Sequence, residues 1–563
     1  MSVPVGPIAH DTEVDLLVVG TGSGLATALY ADDLGLDTLV VEKSQYVGGS
    51  TSMSGGAFWA PGNHVLQRDG LNDSVERGLE YINDLVGDVA PRERWEALIK
   101  AGPAAIEKLD ELTDLELFWA KGYSDYHPER PGGAAIGRTC EAKPFNLSKL
   151  GDERGRFHPP AITAPFPMPA TGYNYKYFNL ITKLPLKALP QAVWRTVQGI
   201  GGMAIGREYA ATGQATAGGL FEACIRRNIP IWTRAPVVSL LTTESGQVTG
   251  AVLRQDGKEV TVTARKGVVL AAGGFDHRTE WRMKFQSETL DKDQSLGNDA
   301  NTGDLIAMAV NQVDADTAFM DQAWWFPSLA PLHQDEAPKI MLAERSLPGS
   351  FMVDETGRRF INESTDYMTF GQDVLAMREQ ENRANELWLI FDQTYKNSYL
   401  FASEIFPTMP FPKSWYEAGI IHNAKTPEEL AQKIGVPADA FAAQLADFNA
   451  DAAAGVDSRY WRGDSLYDNY YGDPTNMPNN NLRALNGKLY AAKMVISDLG
   501  TCGGLVTNAD GVVLRRDGST VSGLYAQGNN AANVFGTVYP GAGATIGQGL
   551  VGGYIIANHA HHA

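Results

Sequence analysis

Short apolar runs of strand length, punctuated by glycine, stand at both ends of this chain. Near the start, Val14-Asp15-Leu16-Leu17-Val18-Val19 feeds Gly20-Thr21-Gly22-Ser23-Gly24. An Ala/Leu-rich stretch of helical character follows to Leu34, then a second apolar run, Thr38-Leu39-Val40-Val41, ending at Glu42. This order predicts a strand–turn–helix–strand unit. From Ile231 to Arg265 apolar and polar residues alternate, with Gly246 and Asp256-Gly257 as turns, which predicts a β-meander. Lys266 to Leu270 reads as a buried strand ending in small residues, Ala271-Ala272-Gly273-Gly274. Asn301-Thr302-Gly303-Asp304 then opens a helix with Asp304 in its first turn. Around Ala330 the character changes: Pro, Trp and Phe become frequent, and polar helices such as Thr426 to Gly435 appear. A second domain inserted between two parts of the first is expected, with limits at 1–326, 327–489 and 490–563. In the last part, Gly523-Leu524-Tyr525-Ala526-Gln527-Gly528-Asn529 leads into Tyr539-Pro540-Gly541-Ala542-Gly543-Ala544-Thr545-Ile546-Gly547.

The first glycine cluster has a specific physical use. Gly20, Gly22, Ser23 and Gly24 let the backbone turn sharply and approach a pyrophosphate at the positive end of the following helix. Glu42, 22 residues after Gly20, stands where an acid accepts hydrogen bonds from an adenosine ribose. The usual third glycine would fall at Leu25, and this chain carries Gly24 instead. Lys43 and the small-residue run Gly48 to Gly56 follow directly. Within that run Gly49, Ser50, Thr51, Ser54, Gly55 and Gly56 suit close packing against a dinucleotide.

Composition narrows the setting. A chain of 563 residues exceeds what one hydrophobic core serves, so two domains are the natural expectation. A formal charge of −19 excludes the global positive field that nucleic-acid binding requires. Cys140, Cys224 and Cys502 are odd in number and far apart, so neither a disulfide framework nor a thiolate metal site is expected. No metal is expected elsewhere either; His559, His561 and His562 read as an untethered tail. The first ten residues carry no signal-peptide pattern, and no run of 18 apolar residues occurs. A cytoplasmic location follows as an expectation.

The motifs together carry a resemblance. Val-Val-Gly at 18–20, Gly-Gly-Ser-Thr at 48–51, Ala-Ala-Gly-Gly-Phe-Asp at 271–276, Met320 to Trp325, Asn362-Glu363-Ser364, Ser497 to Thr501 and the Tyr539 segment occur in order along nearly the whole chain. The chain resembles the fumarate reductase/succinate dehydrogenase flavoprotein superfamily, and within it the 3-ketosteroid Δ1-dehydrogenases. The resemblance implies an α/β architecture: a Rossmann-like FAD-binding domain of parallel sheet plus β-meander, with an inserted α+β catalytic domain. It implies FAD as cofactor, and adds Val237, Ala272, Gly273, Gly274, Asp304, Gly528, Asn529, Gly543, Thr545 and Ile546 to the cofactor-binding candidates. Covalently flavinylated relatives carry a histidine in the loop after the ribose acid; residues 48–58 hold none, so non-covalent FAD is expected.

The resemblance also implies a reaction. Fumarate-reducing relatives grip a dicarboxylate with a histidine and an arginine. Here those places read Asp498-Leu499-Gly500-Thr501-Cys502-Gly503-Gly504 and Tyr539, and the proton-delivering arginine has no clear counterpart near Gln372. A dianion without cations would face uncompensated desolvation, which disfavours dicarboxylate reduction. In the Δ1-dehydrogenases a tyrosine hydroxyl and a glycine N–H four residues later hold the ketone oxygen, and Tyr539 and Gly543 match that spacing. Their base is a tyrosine shortly after Asn-Glu, matched by Tyr367. A second tyrosine partners the base; Tyr126 matches it, with Tyr123 as competitor. The implied reaction is 1,2-desaturation of a 3-ketosteroid, with hydride from C1 passing to flavin N5, the C2 proton to Tyr367, and electrons onward to an external acceptor, a quinone or other. A free phenol titrates near ~10, so a tyrosinate base at neutral pH needs roughly 3–4 kcal/mol of differential stabilisation. The alternative readings are a 3-ketosteroid Δ4-(5α)-dehydrogenase, which places a serine where this chain has Gly541, and a membrane-recruited electron-transfer flavoprotein whose tyrosines only pack. Trp324 and Trp325 read as pocket wall or core.

One stretch departs from the overall charge. From Arg154 to Arg207 there is no Asp or Glu, and Tyr173, Tyr175, Lys176, Tyr177, Lys183, Lys187, Trp194 and Arg195 mix cations with aromatic residues. Such a composition suits peripheral contact with the inner face of a membrane through residues 172–200. Packing on an acidic neighbouring surface or subunit suits it equally. Pro185 and Pro190 are expected to interrupt any long helix there.

Overall fold

The computed structural model describes residues 7, 9–161, 167–333 and 336–563. Part of the acid-free stretch, residues 162–166, therefore lies outside the described residues.

Thr12–Val19 and Thr38–Val41 pair in parallel, as the opening pattern predicts, with helix Gly24–Asp33 between them. The strand Lys258–Leu270 does double service. Its first half closes the meander, antiparallel to Val248–Gln255, which in turn pairs with Val237–Thr242. Its second half runs parallel between Thr12–Val19 and Thr520–Ala526. The result is one eight-stranded sheet, order Val512–Leu514, Thr520–Ala526, Lys258–Leu270, Thr12–Val19, Thr38–Val41, Ile231–Trp232, with the meander branching from Lys258–Leu270. Leu16, Leu17, Val18, Val268, Val269 and Leu270 are fully buried, because this part of the sheet is covered on both faces. The last helix, Ala544–His562, lies on Gly24–Asp33, where Thr27 donates to Gln527 at 2.8 Å. The two ends of the chain thus form one nucleotide-binding body.

The inserted region has its own six-stranded sheet, with Ala323–Leu329 and Leu489–Thr501 paired antiparallel from Ala323–Thr501 to Leu329–Met494. Leu387–Asp392 and Ile421–Ala424 add to Leu489–Thr501, and Ser350–Val353 to Leu387–Asp392. Helices Tyr367–Glu381, Pro427–Ile434 and Ala438–Ala454 belong to the same region. The strands that enter and leave it therefore hydrogen-bond to each other and straddle the expected limits near 327 and 489.

The expected interruption at Pro185 and Pro190 does not occur. Pro185–Ala204 is one 20-residue helix. Pro185 is its first residue, where the missing N–H costs nothing, and Pro190 removes a single early backbone bond. No described helix is long and apolar enough to cross a membrane.

Gly20 is a point of close approach. Its φ is +109°, and an added Cβ would stand 2.4 Å from the Ala271 carbonyl oxygen. Gly20→Ala is expected to cost about 2–5 kcal/mol from strain plus overpacking, measured as a lowered denaturant midpoint together with loss of FAD absorbance.

Candidate active site

The nucleotide cradle is assembled from four segments. The Gly20 N–H donates to Val41 O at 2.8 Å, bringing the first turn beside the end of the second strand. Thr21 donates to the buried Glu42 carboxylate through both its N–H (3.2 Å) and its hydroxyl (2.7 Å), and Ser44 N–H donates at 2.8 Å. Burial raises the Glu42 carboxyl, while these bonds from Ser44 and Thr21 pull it back. Helix Gly24–Asp33 has Ser23 at its N-cap but no side-chain capping bond, which suits a helix start that receives an anion. Gly24 lies under that turn, with Val18 Cγ1 3.0 Å from where a Cβ would stand, which is the helix–strand packing position of a third glycine.

Gly49, Ser50 and Thr51 form the turn beside Gly22. The Ser50 hydroxyl accepts from Asn298 N–H (3.0 Å) and Asn301 Nδ2 (2.9 Å). Ser54 donates to Thr51 O and accepts from Gly56 N–H; Gly56 backs onto Thr212, and Gly55 is exposed. Ala272 N–H donates to Asn530 Oδ1, and half-buried Gly273 and the buried Gly274 continue that strand end. Val237 begins the meander just after Ala235, whose N–H donates to Glu42 O at 2.9 Å. Lys43 spans to Thr302 and Asp304, both at 2.7 Å, so the Asp304 carboxylate is engaged by Lys43. Gly528 approaches the Ser23 hydroxyl, and Asn529 Oδ1 accepts from Trp324 Nε1 at 3.1 Å, linking the cradle to the inserted domain. An uncapped helix start, an anchored acid and a run of small residues fit an FAD.

Beside this cradle the three candidate tyrosines meet. Ring centroids are 5.4 Å apart for Tyr126–Tyr367, 5.1 Å for Tyr126–Tyr539 and 5.3 Å for Tyr367–Tyr539. Trp324 packs 4.6 Å from Tyr539 and Phe326 5.1 Å from Tyr367. Tyr123 is buried one layer further out, stacked on Tyr470 at 4.2 Å and 6.4 Å from Tyr126. The hydroxyls of Tyr126, Tyr467 and Tyr470, and of Ser124, are buried without an aligned hydrogen bond among the described residues. Such a concentration of unsatisfied hydroxyls marks a place where a ligand's polar groups belong. Tyr467 and Tyr470 were not foreseen as part of the site, although the tyrosine cluster of Tyr460, Tyr467, Tyr470 and Tyr471 is a visible compositional signal.

Each tyrosine is held by a different device. Tyr367 is the first residue of helix Tyr367–Glu381, whose cap Asp366 accepts from Thr369 N–H at 3.0 Å. The preceding Asn-Glu turn is anchored by Arg359, which bridges Glu363 (2.7 Å) and Asp457 (2.8 Å), while Arg462 adds to Glu363 at 3.2 Å. Tyr126 follows Asp125, which is buried against Arg138 and accepts from Trp59 Nε1 at 2.9 Å; Arg138 also binds Asp73 at 2.9 Å. The Tyr539 loop is clasped from outside. Tyr81 Oη (2.7 Å) and Tyr126 N–H (3.0 Å) both donate to Pro540 O, Thr139 Oγ1 donates to Ala542 O (2.9 Å), and Trp59 N–H to Gly543 O (3.2 Å). Gly543 has φ +92° and caps helix Ala544–His562, and a Cβ there would lie 2.6 Å from Phe58 N.

Burial pushes the phenols of Tyr126 and Tyr367 well above the ordinary tyrosine value, with the Tyr126 hydroxyl working against that rise at Tyr367. Burial raises Tyr539 too, opposed by the Thr545 hydroxyl, Tyr367 and the N–H groups of Thr545 and Gly543. Thr545 Oγ1 donates to Tyr539 Oη at 3.0 Å, and Ile546, half-buried, follows it in the first helical turn. The nearby arginines are committed elsewhere: Arg138 to Asp73 and Asp125, Arg282 to Asp498, Arg345 to the carbonyls of Glu363 and Thr365.

Residues 15–546 match the family described as an FAD binding domain. The 3-oxosteroid 1-dehydrogenase of Mycolicibacterium smegmatis is 40% identical, over 97% of this chain and 96% of that protein. Its counterpart from Mycobacterium tuberculosis is 39% identical, over 97% and 98%. The chain belongs to the 3-ketosteroid dehydrogenase branch of this FAD-binding family. Among solved structures, 3-ketosteroid Δ1-dehydrogenase from Sterolibacterium denitrificans, in complex with 1,4-androstadiene-3,17-dione, is 32% identical with a TM-score of 0.92, covering 98% of this flavoprotein and 99% of that chain. FAD is its cofactor, and an FAD domain of parallel sheet and meander carrying an inserted domain is the fold of this flavoprotein.

Replacing Arg138 with Met would strand two buried carboxylates beside Tyr126. It is expected to destabilise the protein by about 3–5 kcal/mol, measured by chemical denaturation with FAD bound.

Proposed function

We propose that this flavoprotein is a 3-oxosteroid 1-dehydrogenase, desaturating the C1–C2 bond of 3-ketosteroids. The observation that carries this reading is the triangle of buried tyrosines beside the FAD cradle, with the Gly543 helix start at one corner. Tyr539 accepts from the Thr545 hydroxyl, which leaves its own proton free to donate to a ketone oxygen. The Gly543 N–H, at the positive end of helix Ala544–His562, is the second donor. Together they favour negative charge on that oxygen, and each such donor contributes roughly 2.7–4 kcal/mol toward an enolate-like transition state. The acidified C2 proton is then removed by Tyr367, with Tyr126 as hydrogen-bond partner of the base. Bound in its cradle, FAD supplies the acceptor for the hydride from C1. We place the FAD without a covalent link, and assign onward electron transfer to an external acceptor, a quinone or other. The contacts of Gly20 to Gly24, Glu42, Gly49 to Thr51 and Ala272 to Gly274 with FAD belong to the same proposal.

Two features support Δ1 over the other readings. A side chain at Gly541 would meet Trp59 at 2.8 Å, so the serine of the Δ4-(5α) pattern has no room there. Arg138 and Arg282 are paired with Asp73, Asp125 and Asp498, and Arg345, held by carbonyls, is the one nearby arginine without an ion pair, so a dicarboxylate lacks the pair of free cations it needs. The electron-transfer reading gives no reason for the cluster of unsatisfied hydroxyls. We also assign residues 172–200 a peripheral contact with the inner face of the membrane.

Anaerobic addition of 4-androstene-3,17-dione is expected to bleach the flavin and give a 1,4-diene by NMR; no bleaching sinks the assignment, and a different double-bond position redirects it. Tyr367→Phe is expected to abolish turnover with FAD retained, and Tyr539→Phe to lower kcat about 10²–10³-fold. Because burial raises the Tyr367 phenol, its reactive anion is scarce at neutral pH and increases with pH. The kcat/KM profile is expected to climb from neutral into the alkaline range, tenfold per unit below the phenol's pKa.

A further inference from the structure

A half-buried cation beside the tyrosines lacks a counter-charge. Lys176, on helix Gly172–Asn179, has no ion pair among the described residues. Its Nζ stands 4.0 Å over the face of the Tyr470 ring. Burial, with Lys187 nearby, presses the ammonium down to about 8. It therefore stays charged at neutral pH while poorly compensated, the state that gains most from an arriving anion. The buried acids that touch the same helix serve other groups. Glu141 accepts from Tyr173 N–H at 3.3 Å, and Glu344 accepts from Tyr175 Oη at 3.3 Å. Burial pushes both carboxyls up to about 7, which thins the negative charge they could set against such an anion.

Lys176 stands at the far end of the site. From Tyr539 the aromatic layer steps to Tyr126 (5.1 Å), from there to Tyr123 (6.4 Å) and then to Tyr470 (4.2 Å), with Lys176 on the Tyr470 face. Tyr471 sets its edge against both Tyr123 (5.5 Å) and Tyr470 (4.8 Å). Leu180, which caps the lysine's helix, is buried in the hydrophobic cluster that contains Tyr126, Tyr367 and Tyr539. The Tyr470 hydroxyl is buried without a partner among the described residues. A phenol and an ammonium gathered on one ring can each donate to one oxygen of a carboxylate.

The surrounding charge favours the same ligand. No acid occurs from Arg154 to Arg207 in a protein of net charge −19, so an anion repelled by the overall field meets a locally positive one here. Helix Gly172–Asn179 is joined to Pro185–Ala204 by Asn174 Nδ2 to Gln191 Oε1 (2.7 Å) and Arg195 Nε to Asn174 Oδ1 (2.9 Å). That second helix carries Lys187 and turns Leu186, Val193, Trp194 and Val197 outward. The two ends of the site thus differ in kind: hydroxyls and aromatic surface at the ketone corner, an uncompensated ammonium at the other. They suit one molecule that is neutral at its ketone and anionic at its far end.

We infer that Lys176 and the Tyr470 hydroxyl form an anion subsite that receives the side-chain carboxylate of a 3-ketosteroid acid while its ketone lies at Tyr539 and Gly543. This rests on the steroid reading above and names the substrate class within it. The test uses the FAD-loaded full chain and three substrates: 3-oxo-4-cholen-24-oic acid, its methyl ester, and 4-androstene-3,17-dione. The parent is expected to show a KM for the acid at least tenfold below that for the ester. Lys176→Met should raise the KM of the acid to the level of the ester, with kcat for the acid unchanged and the ester and the dione within twofold of the parent. Lys176→Arg, which keeps the charge, should keep the preference. Equal KM values for acid and ester in the parent overturn the subsite, and so does a preference that survives in Lys176→Met. A similar rise for all three substrates in Lys176→Met also overturns it, assigning the lysine to packing, as does an Arg variant that loses the preference as fully as the Met variant. Turnover of the dione without preference for the acid sinks the subsite and leaves the steroid reading standing. No turnover of any of the three sinks both.

Discussion

The carbonyl of Pro540 is the junction on which the site depends. It accepts both the Tyr81 hydroxyl and the Tyr126 backbone N–H. One oxygen therefore ties the loop bearing Tyr539 to the segment bearing Tyr126, which are more than 400 positions apart in the chain. Buried carbonyls need partners, so this one specifies how the C-terminal glycine segment docks. Trp59 and Thr139 complete the clasp on the next carbonyls. With the loop fixed, Tyr539 and the start of helix Ala544–His562 point at the same region. Under the proposed function the two form a donor pair aimed before reaction, which needs no reorganisation during it.

Around this junction the protein separates charge from chemistry. Most full charges buried close to the tyrosines are paired: Asp73–Arg138–Asp125 behind Tyr126, Glu363–Arg359–Asp457 with Arg462 behind Tyr367, and Asp498–Arg282 near Trp325, while Arg345 is held by carbonyls. The charges of the last two sets cancel, and the first leaves one carboxylate in excess. What is left facing inward is aromatic surface and hydroxyls. That environment accepts a neutral polycyclic ketone and disfavours an anion. It also raises the phenols of Tyr126, Tyr367 and Tyr539.

The two sheets meet through their longest strands. Lys258–Leu270 carries the FAD domain, changing partner midway, and Leu489–Thr501 carries the inserted domain while leading back toward the C-terminal glycine segment. Asn529 and Trp324 join the two bodies at the cradle. The active site is thus built at the seam of two domains, with the outward-facing helix pair 172–204 at its outer side.

Much of this was legible in residue order. Thr12–Val41 with Glu42, the meander, and the small residues after each strand follow from local rules: alternation, turn glycines, and the need for bare backbone beside phosphate. Tyr539 and Gly543, four apart around a helix start, carry their relation within one turn. Other relations cross hundreds of residues and leave no local trace. Nothing near Tyr126 announces Pro540, nothing near Gly541 announces Trp59, and the tyrosines at 467, 470 and 471 read as ordinary packing until the fold sets Tyr470 and Tyr471 against Tyr123 and Tyr467 against Tyr126. Proline count alone argued against a long helix at 185–204, yet Pro185 sits where a helix tolerates it. Amino-acid order determined the cofactor turn, the neutral character of the site and the acid-free segment, because composition and short spacings encode these. Only tertiary structure decided which tyrosines meet, which arginines are neutralised and which helix face stays bare, because pairing across distant segments is a property of packing.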